Sequence, residues 1–60
     1  MKTIIVRWAP EEGFYGKAMR VVESDHERFV PGSRFDFGFM SIANDEGYTI
    51  IVLPLGLKEN

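Results

Sequence analysis

Apolar and polar residues alternate from Lys2 to Trp8. Ile4, Val6 and Trp8 fall on one side, and Thr3, Ile5 and Arg7 on the other. Alternation in β-branched side chains predicts a strand with one face against a core. Pro10 stops that strand, and Glu11-Glu12-Gly13 reads as a turn. The stretch Phe14 to Glu23 supports two readings. As a strand, it puts Tyr15, Met19 and Val21 on one face and Phe14, Ala18 and Val22 on the other. As a helix, its apolar residues line one side after a Pro10-Glu11-Glu12 start. The strand is preferred, because Gly13 and Gly16 would each cost a helix about 1 kcal/mol and Ala9 is a poor N-cap.

Arg28-Phe29-Val30 is a third, short strand, and Pro31-Gly32 follows it. Proline presets φ at the second position of a type II turn and glycine takes the positive φ of the third. Phe35, Phe37 and Phe39 then recur at period two, which predicts a strand over Ser33–Ile42 with all three rings on one face. Gly38 within it invites a bulge. Asn44-Asp45-Glu46-Gly47 reads as a hairpin turn into a fifth strand, Tyr48 to Leu53. That strand is apolar on both faces, the pattern of a central strand or of one covered on both sides. Pro54 ends its ladder, and residues 56–60 read as a frayed tail.

Five short strands separated by turn signals predict an all-β fold, a small five-stranded OB-like or SH3-like barrel. If Phe14–Glu23 is helical, the alternative is an α+β fold of order βαββ. The chain is 60 residues long, so residues 1–60 are read as one small domain. Such a domain is marginally stable, and without Cys it has no disulfide or thiolate–metal staple. The apolar segment after Lys2 is too short for a secretory signal, and Ile50 to Leu53 is too short to span a membrane. The expected setting is the cytoplasm, with no membrane association, as a monomer or homodimer. So small a chain suits a phage or accessory-genome product. The formal charge of −2 lacks the strongly basic balance of a duplex-binding domain.

Several patches resemble the cold-shock domain. Val6-Arg7-Trp8 resembles that family's opening Val-Lys-Trp strand. Gly13-Phe14-Tyr15-Gly16 is similar to its Gly-Phe-Gly-Phe strand, and Pro31-Gly32-Ser33-Arg34-Phe35-Asp36-Phe37 to its Glu-Gly-Gln-Arg-Val-Glu-Phe segment. Val52-Leu53-Pro54-Leu55 resembles the family's ending. The opening also resembles SH3-like and Tudor-type barrels. The cold-shock resemblance implies an OB-type barrel and single-stranded nucleic-acid binding, with Trp8, Phe14 and Phe29 as stacking rings. The chain departs from the family pattern after Gly16, where Lys17-Ala18 follow, and at Arg28-Phe29-Val30, which has no His.

Two binding readings follow. In the first, the protein engages a protein partner as a small adaptor or inhibitor. Its acidic connections, Glu11-Glu12 and Asp45-Glu46, would form a rim, and Tyr15, Met19 and Arg20 are residue types favoured at interfaces. In the second, Arg7 and Lys17 follow a phosphate backbone while Trp8, Phe14 and Phe29 stack on bases. Arg7, Lys17, Arg20, Arg28 and Arg34 are placed as a basic stripe, although strand charges are commonly just solvated. The aromatics serve equally as core for a chain short of it. Asp25-His26-Glu27 lacks the converging ligand spacing of a metal site. No triad or phosphate-loop pattern occurs either. The expectation is a non-enzymatic binding module with no metal and no cofactor.

Overall fold

The computed structural model describes residues 2–10 and 18–54. The elements run β1 (Thr3–Trp8), β2 (Met19–Ser24), β3 (Arg34–Phe35), α1 (Phe37–Asp45) and β4 (Thr49–Leu53). The strands form one four-stranded sheet in the order β3-β2-β1-β4. β2 pairs antiparallel with both β1 and β3, whereas β4 pairs parallel with β1. A parallel neighbour needs a crossover connection. Here α1 supplies it, carrying the chain from one edge strand to the other. The protein is therefore a small, mostly-strand domain with a mixed sheet and one helix. Among the described residues the sheet is open, not the expected five-stranded barrel.

The alternation in β1 turns out as its pattern predicts. Ile4 and Val6 are buried and Trp8 packs on the same core. Register carries this face across the sheet. Val6 pairs with Val21, Trp8 with Met19 and Met19 with Phe35, and all of these are buried except Trp8, which is half-buried. A bulge interrupts the β1–β2 ladder, Ile5 lying opposite Glu23 but Val6 opposite Val21. Val22 is the extra residue, so the bulge sits there rather than at Gly38. The Pro31-Gly32 turn forms as expected: Gly32 has φ +90° and the Ser33 N–H donates to the Val30 carbonyl at 3.1 Å. Arg28-Phe29-Val30 is irregular chain rather than a strand, and Phe29 reaches from it into the core.

The largest difference lies at Ser33–Ile42. The strand stops after Phe35, and a helix begins at Phe37. Asp36 is its N-cap: extended in backbone, it accepts the Phe39 N–H on Oδ1 at 3.0 Å. Phe35 and Met40 occupy the two positions of a hydrophobic staple, before the cap and four residues into the helix, and both join the core. Period two therefore applies only up to Phe35. Phe35 is fully buried, while Phe37 and Phe39 lie exposed on the helix.

Asn44-Asp45-Glu46-Gly47 is the helix's end rather than a hairpin turn. The Gly47 N–H donates to the Asn44 carbonyl and the Tyr48 N–H to the Ala43 carbonyl, each at 3.0 Å. With Gly47 at φ +88°, this is a Schellman motif. Its apolar contact is present too, because Tyr48 packs on the cluster that contains Ala43. β4, expected either at the centre of the sheet or covered on both sides, lies at an edge with Ile51 and Val52 exposed. No helix among the described residues is long and apolar enough to cross a membrane.

Candidate binding site

The β2–β3 connection and α1 enclose a groove of about 310 Å³, lined by Arg28, Phe29, Ser33, Arg34, Phe39 and Ile42. It results from where the helix starts. Once Asp36 caps α1, Phe39 and Ile42 stand three residues apart and so share one helix side. Phe39 packs on Phe29, ring centroids 5.3 Å apart, and on Phe35 at 6.2 Å. Phe29 meets Phe35 edge-on at 5.3 Å. The result is an aromatic floor with Ile42 exposed beside it and Arg28 and Arg34 among the lining residues. Such a site takes an apolar group and holds an anionic neighbour.

The connection that forms one wall is tied down by His26. Its Nδ1 accepts the Arg28 N–H at 3.0 Å, so in the neutral ring the proton is on Nε2, which points to Glu46 Oε1 at 2.7 Å. The ring lies between Phe29, at 4.6 Å, and Tyr48, at 4.8 Å. Ser24 Oγ accepts the His26 N–H at 2.8 Å. His26 thus fastens the connection to the C-terminal end of α1. Among the described residues, no group of three or more His, Cys, Asp or Glu is arranged to hold a metal ion.

A second feature lies on the sheet face away from the helix. Arg7 pairs with Arg20 and Arg20 with Arg34, so three arginines form one row across three strands. Arg20 Nη1 donates to the Gly32 carbonyl at 2.7 Å, fixing its direction toward the turn. Like charges directly opposite oppose pairing, and Arg20 and Arg34 each have partners that offset this. At the sheet's other end the helix terminus carries Asp45 and Glu46, and Lys2 Nζ donates to the Glu46 carbonyl at 3.4 Å.

The residues singled out from sequence divide as follows. Arg7, Arg20, Asp45 and Glu46 are exposed. Met19 is fully buried between Trp8 and Phe35 in the register, so it is a core residue and offers no contact surface. Phe29 is likewise buried; it supports the groove rather than presenting a stacking face. Trp8 is half-buried, edge-on to Phe37 with centroids 5.9 Å apart. Glu11, Glu12, Phe14, Tyr15 and Lys17 lie outside the described residues, as does the whole of the expected tail at 56–60. The structure brings Arg7, Arg20 and Arg34 of the basic stripe into one row, and Arg28 and Arg34 into one groove. Sequence reasoning missed Phe39 and Ile42. The signal that finds them is Asp36 read as an N-cap.

Comparison of the chain with protein-family models, with curated proteins and with solved structures gives no match.

Proposed function

We propose that this protein is a non-enzymatic binding module that takes a short segment of a protein partner into the groove between α1 and the β2–β3 connection. The segment carries an apolar side chain, set on Phe29 and Phe39, next to a carboxylate that meets Arg28. The observation that carries this reading is the groove itself: an aromatic floor, an exposed Ile42 and two arginines in one lining. Its volume of about 310 Å³ has room for one side chain and its neighbours. Small adaptors and inhibitors work in this way, by a few anchors on a rigid support.

The test is selection from a displayed random-peptide library. Peptides enriched on the parent protein should carry an apolar residue flanked by Asp or Glu. They should lose binding to Ile42→Glu and to Arg28→Glu, both substitutions at exposed positions. Absence of enrichment, or peptides that bind both variants as well as the parent, would sink the reading.

One observation supports a second reading, single-stranded nucleic-acid binding. The Arg7–Arg20–Arg34 row lies across the strands, as a phosphate track would need. A fluorescein-labelled poly-pyrimidine strand titrated with the protein at several salt concentrations and followed by anisotropy tests it, since Trp8 lies on the face opposite the row. Three phosphate contacts on a single strand predict a log–log salt slope of about −2, reduced by roughly half a unit or more in Arg7→Ala. Anisotropy unchanged at low salt would leave the groove reading alone.

A further inference from the structure

β4 combines two properties that do not belong together. Its sequence, Thr49-Ile50-Ile51-Val52-Leu53, is uncharged, rich in β-branched residues and apolar on both faces. That is the composition of a strand inside a sheet. Its place is nevertheless an edge: β1 pairs with one side, and among the described residues no strand pairs with the other. Neither face is well covered. Val52 pairs with the buried Val6, so it shares the helix-side face, yet it is 40% exposed. Ile51, on the opposite face, is 43% exposed. Soluble edge strands are usually guarded by Lys, Pro, a bulge or an inward charge. β4 has none of these within its span.

We propose that β4 is the interface of a symmetric homodimer, in which a second copy of this chain adds its own β4 antiparallel to the first. A two-fold axis at Ile51 sets Ile51 against Ile51 of the second copy, Ile50 against Val52, and Thr49 against Leu53. Antiparallel partners share a face, so every pair matches apolar with apolar or with Thr. Two four-stranded sheets become one continuous sheet. Both helices then lie on the same side, with the Val52 side chains between them.

Charge selects this direction over the parallel one. Leu53 pairs with Arg7 in the same chain, and Arg7 with Arg20, so the Leu53 end of β4 is the arginine end of the sheet. Thr49 follows the helix terminus that carries Asp45 and Glu46. Antiparallel addition brings the exposed Asp45 and Glu46 of each copy to the Arg7 end of the other, whereas parallel addition would set Arg7 end against Arg7 end. The interface is isologous and closes on itself, which stops the exposed strand from propagating into fibres. It lies at the opposite edge from the Arg28–Phe39 groove, so it goes beyond the binding reading and stands or falls apart from it.

Sedimentation velocity over a concentration series tests the proposal. The parent chain should show a monomer–dimer equilibrium that weakens as salt rises, because the end-to-end charge attraction is screened. Ile51→Lys substitutes an exposed side chain and places two ammonium groups opposite each other at the axis. It should raise the dissociation constant by more than about tenfold while far-UV circular dichroism stays that of the parent. Ile51→Glu should behave alike. An equimolar mixture of the two variants should recover a dimer, which a misfolded variant would not do. A parent that is monomeric at every concentration, a dimer untouched by Ile51→Lys, or a mixture that fails to associate would each overturn it.

Discussion

Asp36 and Gly38 act as a pair. A side chain at Gly38 would place its Cβ 3.3 Å from Asp36 Oδ1, the atom that accepts the Phe39 N–H. Glycine leaves room for the cap. Removing the cap by Asp36→Ala should cost about 1 kcal/mol, read as a lower urea midpoint at unchanged slope. An exposed helical Gly→Ala change ordinarily gains up to about 1 kcal/mol, but Gly38→Ala should give little or nothing while Asp36 is present. The gain should return in the Asp36→Ala background, and an additive cycle would show that the two sites are independent. His26 is the other residue on which local order turns. His26→Ala removes the acceptor of the Arg28 N–H and the partner of Glu46 together, and should cost about 2 kcal/mol by denaturant titration. Glu46→Gln keeps an oxygen acceptor for Nε2 and should cost less than about 1 kcal/mol. The reverse ranking would place the anchoring in the charge rather than in the ring.

At the scale of elements, α1 depends on its setting. It spans Phe37–Asp45, nine residues, below the about 12–15 that make an isolated helix even marginal in water. A synthetic peptide covering Ser33–Tyr48 should therefore show no appreciable helical circular dichroism, although the same residues are helical in the protein. Substantial helicity in the free peptide would move the cause from packing to local propensity. This dependence explains why the helix was hard to read. Three phenylalanines at period two are a strand signal, and Asn-Asp-Glu-Gly is as good a hairpin turn as a helix end. Asp36 and Gly47 were the two local marks of the helix, and each has an equally ordinary strand-and-turn meaning. β1 had no such double meaning, because its alternation and β-branched side chains agreed. Pro31-Gly32 was equally plain, since few backbone conformations accept both residues in that order.

For the whole molecule, the core is small and centred on Phe35. Among the described residues, the fully buried large side chains are Phe35, Ile4, Met19 and Val6, and Ala9, Ala18 and Ala43 are buried as well. Phe35 also carries the edge-on contact with Phe29 and backs Phe39, so core and groove share it. Phe35→Ala should cost about 3–5 kcal/mol. That is comparable with the whole stability of a small domain, and amide resonances should collapse to the narrow dispersion of an unfolded chain at room temperature. A well-dispersed spectrum would mean that the core draws its stability elsewhere. The candidate site was only partly legible at this scale. The arginines were visible as a stripe, but their gathering into one row depends on the register of three strands. Met19 looked like a contact residue until Trp8 and Phe35 were found paired on either side of it.

Taken alone, the chain determined those features that rest on neighbours in sequence. The first strand and its inward face follow from alternation, and the turn at Pro31-Gly32 from backbone sterics. The richness in β-strand follows from β-branched and aromatic composition. Tertiary structure decided whatever depends on which distant surface a segment meets. Ser33–Ile42 divides at Asp36 because burying Phe35 beside Met19, and laying α1 between the two edge strands, satisfies more of the chain than one continuous strand would. β4 pairs parallel with β1 because α1 carries the chain across from β3 to that side of the sheet. The apolar character of β4 was plain in its residues, whereas its exposure became visible only once the sheet order was known.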